Sequence, residues 1–471
     1  MARSIKLVGL DCGSTTTSAI VACARVGVGA LGRMEVSQIE PVFRSEMVFT
    51  PFVDDRIDID SLDRYLDEWL AAAQSAPSEI FGGGALVTGL AAQRTNAAAV
   101  TRLIEARLAD SVVATADDPC LESWLAFMGN CHALSMAHPE LPILNLDIGG
   151  GTTNLALGVG GQVVATGCLM VGARHFQFVP GTYELTALSR QAAALLEHLH
   201  IERRAGDTLE RGEVEAIVDW YFEFIEAAVE GRVEPLATPI GRLHAQVVGR
   251  WPAGTARPFS VTLSGGVGQL VYDYQRGIPC GGISQFGDMG GELATRIVAA
   301  PRLASLMATS TPEGLGRATV YGLLRHATAP SGATLYLPHP ERLPLRHVPI
   351  VGRIGPESSD DELFRAVDLA ARGAVAGCLQ VDLREEDAAA VRGLGGRLGR
   401  AIESLPFPCD RTLVVLAAAN VGKAFGNYVT QWGTLDVDLI VVDEVPPRDS
   451  QFVRLGRVCE GTVPISLYGM R

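Results

Sequence analysis

The sequence predicts an α/β protein of two similar lobes followed by a further α/β unit, on three observations. Short apolar runs with strand character alternate with amphipathic stretches of helix length through most of the 471 residues. A turn made of an acid, glycines and threonines occurs twice. The chain is too long for one ordinary hydrophobic core and suits two or three domains.

The most informative stretch is LNLDIGGGTTNLA, Leu144 to Ala156. Apolar Leu144, Leu146 and Ile148 read as a buried strand, Gly149, Gly150 and Gly151 end it, and Thr152, Thr153 and Asn154 open a second apolar run. Glycines let backbone N–H groups approach an anion with no Cβ in the way, so such a turn can nest phosphate. Asp147 would face the phosphates and repel them unless a Mg²⁺ ion or its water shell stands between. One turn of this kind would be an ordinary hairpin. Leu7 to Ala19, LVGLDCGSTTTSA, repeats it, with Asp11 over Asp147, Gly13 over Gly149, Thr16 over Thr152 and Thr17 over Thr153. Two facing turns can grip a polyphosphate from both sides.

Composition narrows the partners. A formal charge of −14 and a pI near 5.2 leave no basic face for nucleic acid. Hydrophobic content of 48% and a mean hydropathy of +0.21 favour a folded, well-buried chain. The apolar runs are short and broken, so no membrane span is expected, and the first ten residues lack a signal-peptide core; a cytosolic protein is expected. The nine cysteines are scattered without a C-x-x-C pair and read as reduced apolar residues. His198 and His200 would point to different helix faces, which argues against a metal site there.

In order, Ile5–Leu10 and Thr17–Cys23 read as a first hairpin, with a partner strand at Met34–Phe43. Asp54–Asp60 reads as an acidic linker, with Ser61 capping a helix that buries Leu62, Leu66, Trp69 and Leu70. Gly84–Gly89 and Val112–Ala116 read as strands around a helix at Asn96–Leu108. A helix begins near Pro119, with Glu122 in its first turn, where an acid suits the helix dipole. Gln162–Val171 reads as a strand pair, a polar bend follows at Ala173–Gly181, and helices span Thr186–His200 and Glu213–Ala228. In PFSVTLSGGVGQLVYDY a strand ends at Ser264, Gly265 and Gly266, and Gly268 opens a helix, bringing bare backbone to a ligand. Ala318–Ala327 is a short helix with small residues fit for close packing.

Together these segments resemble the actin, hexokinase and large heat-shock chaperone superfamily. Its five signatures match in order: Asp11–Thr17 and Asp147–Thr153 as the phosphate loops, Glu122–Asn130 and Ala318–His326 as the connecting helices, Ser264–Gly268 as the adenosine seat. The resemblance implies two RNase H-like lobes of the actin-like ATPase fold closing on ATP and Mg²⁺. It implies Asp11 and Asp147 as metal-shell anchors and, with Glu122, as catalytic residues. Nucleotide contacts would come from Gly13, Ser14, Thr15, Thr16, Gly149, Gly150, Gly151, Thr152, Thr153, Gly265, Gly266 and Gly268.

Within the superfamily the chain is more similar to the ethanolamine ammonia-lyase reactivating-factor family. The similar segments are Ala85–Ala97, Val112–Ser123, Leu144–Leu157, Val261–Asp273, Leu343–Val351 and Val441–Gly469. That resemblance implies an ATP-dependent, chaperone-like partner of the cobalamin-dependent lyase, located in the cytoplasm, compatible with a homodimer and with association with a bacterial microcompartment. Two departures stand out. Leu90 occupies a position that is usually acidic, and Trp124, Phe127 and Met128 put bulk on a connecting helix that must slide during closure. A sugar-kinase-type enzyme and an actin-like filament ATPase are the alternatives, since both would carry the same nucleotide motifs.

The expected division is lobe I at 1–140, lobe II at 141–330 with a returning helix at 318–327, and a C-terminal α/β domain at 331–471 that binds a partner. In the last, Val348–Ile354, Thr412–Ala418 and Leu439–Asp443 read as strands, and Glu362–Ala374, Val391–Ser404 and Val421–Gln431 as helices. Leu394-Gly-Gly makes the second helix's boundary uncertain. Asn420–Lys423, NVGK, lacks the spacing of a phosphate-binding P-loop.

Overall fold

Strand β1 (Arg3–Cys12) turns into β2 (Thr16–Val28) with Asp11 paired to Ser18, and β2 runs antiparallel to β3 (Met34–Arg44). The short β4 (Val48–Phe49) adds to β2, and β5 (Phe52–Val53) pairs with β6 (Arg56–Ile57). On the other side of β1 lie the parallel strands β7 (Ile80–Val87) and β8 (Val112–Thr115), completing a six-stranded sheet ordered β3-β2-β1-β7-β8. This computed structural model describes residues 3–13, 16–28, 34–53, 56–87, 95–108, 112–115, 119–247, 259–278, 282–307, 312, 314–326, 328–332, 334–373, 375–383, 387–405, 407–445, 450–458 and 461–470. Ser14, Thr15 and Leu90 lie outside them.

Alternation along β1 sends its side chains to two cores. Val8, Leu10 and Cys12 pack with Leu62, Leu66 and Leu70 of α1 (Ile59–Ala72) and Ile104 of α2 (Ala97–Arg107). Ile5 and Leu7 face the opposite way. The cap of α1 is Asp58, whose carboxylate accepts from Asp60 and Ser61 N–H; Ser61 itself donates its hydroxyl to Asp58 at 2.6 Å. The expected Ser61 cap is therefore displaced by three residues, because the acid can take both N–H groups and the hydroxyl at once.

The second sheet repeats the first. Strands β9 (Ile143–Ile148), β10 (Thr153–Val159) and β11 (Gln162–Leu169) form the same antiparallel meander. After the small hairpin β12 (Phe176–Phe178) and β13 (Leu185–Leu188), β14 (Ala245–Val247) joins β11 and β15 (Ser260–Ser264) runs parallel to β9, giving the order β14-β11-β10-β9-β15. Asp147 pairs with Asn154 where Asp11 pairs with Ser18. Gln162–Leu169 is one strand and not the expected pair, and the helix expected from Thr186 begins at Arg190, after β13, with Ser189 as its cap.

Leu144, Leu146 and Ile148 face a core that includes helix residues Ile217, Tyr221 and Phe224. Between the two sheets run α3 (Pro119–Asn130) and, later in the chain, α7 (Ala318–His326), with α4 (Arg211–Glu230), α5 (Gly265–Gln275) and α6 (Gly290–Val298) intervening in sequence. Val320 and Leu324 of α7 pack on Ile5 and Leu7, and Phe127 and Met128 of α3 pack with Ile143 and Ala156. The two helices cross at glycine: a Cβ on Gly129 would lie 1.8 Å from Ala318 O, and one on Gly322 would lie 2.1 Å from Leu125 O. Of the bulky residues on α3, Phe127 sits over Gly158 of β10, whereas Trp124 packs against a cluster that includes Leu125 of α3 and Leu323 of α7.

The remaining strands form a third, seven-stranded sheet, ordered β16-β22-β21-β17-β18-β19-β20. Its strands are β16 (Ala329–Pro330), β17 (Leu345–Ile354), β18 (Ala376–Val381), β19 (Thr412–Ala417), β20 (Asp438–Val442), β21 (Ser450–Leu455) and β22 (Pro464–Met470). The parallel β17 to β20 are connected through α8 (Asp360–Ala371), α9 (Ala388–Glu403) and α10 (Gly422–Val429), whose apolar residues cover one face. Strand β18 and the hairpin β21–β22 were not expected. Leu394-Gly-Gly does not interrupt α9: Gly395 and Gly399 let it lie against Tyr428 and Val429.

This sheet docks on the first one. Thr328 Oγ1 accepts from Gly83 N at 2.8 Å and lies 3.2 Å from Ser466 Oγ, Met34 N donates to Glu444 Oε2 at 3.2 Å, and His347 Nε2 stands 3.3 Å from Glu105 Oε1. Among the described residues no helix is long and apolar enough to cross a membrane.

Candidate functional site

Both acid turns close in the same way. Gly13 N donates to Thr16 O at 3.0 Å and Gly149 N donates to Thr152 O at 2.9 Å. Behind the first turn, Thr50 Oγ1 donates to Gly13 O at 2.8 Å and lies 3.0 Å from Thr17 Oγ1. Behind the second, a turn at Ala173–His175 takes up the loop's carbonyls: Ala173 N donates to Gly149 O at 3.1 Å, Arg174 N to Gly150 O at 2.7 Å, and His175 Nε2 to Gly151 O at 2.7 Å. Gly172 permits this approach, because a Cβ there would lie 2.5 Å from Gly150 O. With the carbonyls drawn to one side, the N–H groups of Gly150, Gly151 and Thr152 donate to no protein acceptor among the described residues. That is a nest of donors suited to an anion.

Asp147 is buried, Asp11 is half-buried with its Oδ1 enclosed, and the two are close enough to interact. Burial pushes the Asp11 carboxyl up to about 7; a hydrogen bond from Thr319 opposes the rise and the charge of Asp147 adds to it. Burial raises Asp147 to about 6, against a hydrogen bond from Ser264. Thr319 Oγ1 donates to Asp11 Oδ2 at 2.8 Å and Ser264 Oγ donates to Asp147 Oδ1 at 2.5 Å. Asp11 Oδ1 is buried and has no partner among the described residues. Two neighbouring desolvated carboxylates, one with an orphaned buried oxygen, fit a divalent cation. No group of three or more candidate ligands gathers among the described residues. A pair of carboxylates suits an ion such as Mg²⁺ that keeps waters and takes phosphate oxygens.

The third glycine element meets the second turn from the side. Gly265 adopts φ +77° and lies so close to β9 that a Cβ would be 2.5 Å from Ile148 O, whereas a Cβ on Gly266 would meet nothing within 4 Å. Gly268 packs under the turn against Leu263. Glu122 is buried in the first turn of α3, and its charge adds to the effect of burial in raising the Cys168 thiol of β11.

Several residues at the site were not legible in the sequence. His175 lies in the bend read only as polar. Buried and held neutral, with its pKa lowered to about 4 by desolvation, it ties Gly151 to Ser189 Oγ, 2.7 Å from Nδ1. Asn130 and Asn145 form a buried amide pair beside Ser264. Lys6 and Lys423 are the chain's only lysines, and Lys6 is paired with Glu79 at 2.9 Å. Arg174, whose backbone N–H holds the Gly150 carbonyl, carries its guanidinium 5.9 Å over the Phe49 ring of β4. NVGK is no phosphate loop in space either, because Gly422 N donates to Asp443 Oδ2 at 3.0 Å.

Two sheets with the same meander and a parallel fourth strand, two crossing helices and mirrored acid turns define the two-lobed, RNase H-like architecture of the actin-like ATPase fold, extended by a C-terminal α/β unit. Residues 3–469 match the family described as ethanolamine utilisation protein EutA, and the chain belongs to that family. It is 30% identical over 487 aligned residues to ethanolamine ammonia-lyase reactivase EutA of Escherichia coli K12, covering 99% of this chain and 98% of that protein. The protein of the same name from Salmonella typhimurium LT2 is 28% identical over 486 residues, with the same coverage. Among solved structures, an exopolyphosphatase from Cytophaga hutchinsonii aligns with a TM-score of 0.38 and 14% identity over 68% of this chain and 96% of that one. Ethanolamine utilization protein EutJ from Carboxydothermus hydrogenoformans gives 0.31 and 14% over 68% and 89%.

Proposed function

We propose that this chain is an ATP-dependent reactivating factor for adenosylcobalamin-dependent ethanolamine ammonia-lyase, releasing damaged cobalamin so that intact cofactor can rebind. The observation that carries the reading is the mirrored pair of acid turns, with Asp11 and Asp147 close enough for the charge of one to act on the other, in a chain whose relatives over 99% of its length bear the reactivase name. Asp11 and Asp147 would anchor the hydrated metal. The N–H groups of Gly150, Gly151 and Thr152 would bind the phosphates, together with Gly13 and Thr16 of the first acid turn and with Ser14 and Thr15 as the resemblance implies. Bound Mg²⁺ would neutralise phosphate charge that the two carboxylates otherwise repel. Gly265 and Gly266 would carry the nucleoside, and Glu122 would act from α3.

Lobe closure would turn on the crossing of α3 and α7. The C-terminal unit would be the lyase-binding part, and Tyr468 of β22 packs against a cluster that includes Leu125 and Leu323 beside that crossing, which offers a route for motion to reach it. ATP can drive such a cycle only by binding two conformers with different affinity. The reading places the protein in the cytoplasm. The test is to inactivate ethanolamine ammonia-lyase with cyanocobalamin, then add this protein, Mg-ATP and adenosylcobalamin. Recovery that requires ATP is expected; no recovery, or equal recovery without ATP, would overturn the assignment.

A further inference from the structure

Both acid turns lead to one short stretch of chain, residues 314–319. The first link is direct, from the Thr319 hydroxyl to Asp11 Oδ2 at 2.8 Å. The second is a relay that starts at the partly buried Leu315 and runs through buried side chains. Leu315 N donates to Asn130 Oδ1 at 2.9 Å, Asn130 Nδ2 to Asn145 Oδ1 at 2.8 Å, Asn145 Nδ2 to Ser264 Oγ at 3.0 Å, and Ser264 Oγ to Asp147 Oδ1 at 2.5 Å. Every donor in the relay points toward Asp147, so the bonds polarise one another in the same sense. Asn130 spends its second amide proton on Leu263 O at 3.0 Å, and Asn145 Oδ1 also accepts from Thr262 Oγ1 at 3.0 Å, which fixes both side chains.

The stretch sits where motion would be felt. Gly314 stands against Gly129 O, Arg317 Nη2 donates to Ser45 O at 2.7 Å, and α7 begins at the glycine crossing with α3. We infer that Thr319 is a positioning residue for Asp11, and that segment 314–319 sets both carboxylates together, so that the crossing of the connecting helices governs the competence of the nucleotide site. This rests on the ATP-dependent reading above. A displaced segment loses the Thr319 bond and pulls on the relay at once, and neither lobe can be aligned without the other.

Thr319→Val is nearly isosteric and removes only the donor, whereas Thr319→Ser keeps it. The experiment measures phosphate release from Mg-ATP by the full-length chain, binding of a fluorescent ATP analogue, and thermal unfolding for the wild type and both variants. Thr319→Val is expected to lower kcat by about 10-fold or more while leaving KM and analogue affinity within about 3-fold, and Thr319→Ser to recover most of the loss. Wild-type kcat in Thr319→Val, a loss that serine does not restore, or a loss of kcat matched by lost analogue binding would overturn the inference. A wild type that neither binds the analogue nor turns over ATP would instead overturn the functional reading on which it rests.

Discussion

Gly129 and Gly322 face one another where α3 crosses α7, so closely that a Cβ on Gly129 would lie 2.6 Å from Gly322 N. No side chain fits there without the helices moving apart. Gly129→Ala should therefore cost on the order of 1–3 kcal/mol by overpacking, despite alanine's better helix propensity. It should also lower ATP turnover, since separating the helices shifts Thr319. Denaturant unfolding beside a phosphate-release assay checks both. An alanine variant as stable and active as the wild type would mean that the crossing is loose.

Asp11 has one buried oxygen, Oδ1, with no partner among the described residues, an arrangement that weakens the nucleotide-free protein. Asp11→Asn keeps the shape and removes the charge. It should raise the melting temperature without nucleotide while sharply reducing Mg-ATP turnover, the trade expected when strain is kept for function. Calorimetric scans with and without Mg-ATP separate the two effects: the wild type should gain stability from the ligand and the variant should gain little.

His175 supplies a pH signature of stability. Its folded pKa, near 4, lies below its ordinary value of 6.5, so between those values the unfolded chain holds the extra proton. The sign follows: its contribution is complete above about pH 6.5 and is lost as pH falls toward 4, on the order of 3 kcal/mol in all. His175→Gln should flatten the stability curve across that interval while loosening the Gly151 carbonyl at neutral pH. Denaturant midpoints from pH 4 to 8 give the test.

Ser264 is the last donor before Asp147, and it also accepts from Asn145. Ser264→Ala strands the Asn145 amide and leaves the carboxylate without its hydroxyl. A stability loss of about 1–3 kcal/mol is expected, with a larger proportional loss of turnover than of nucleotide affinity. Equal losses in both would assign Ser264 to binding alone.

The parts of this molecule that could be read from residue order are those whose chemistry is local. The turns at Asp11 and Asp147 announce themselves because an acid, glycines and threonines recur at the same offsets, and the duplication doubled the signal. The first connecting helix was legible from Pro119 and Glu122 in its first turn and the second from its small residues, although the side to which Phe127 points was not. Strand Ala376–Val381 escaped because it is short, follows a helix closely and contains Gly377 and Gln380. The final hairpin carries Ser450, Gln451 and Arg454, so it shows no clean alternation. Asn130, Asn145, His175 and Thr319 could not be found at all, because each gains its role from a partner distant in sequence.

The central claim, that the two acid turns enclose one metal-bound triphosphate, is tested most directly by titrating the full-length protein with ATP in a calorimeter, with and without Mg²⁺, beside Asp11→Ala and Asp147→Ala. One Mg²⁺-dependent site per chain, weakened by either substitution, is the predicted result. Absence of binding by the wild type, or binding indifferent to Mg²⁺ and to both substitutions, would contradict it.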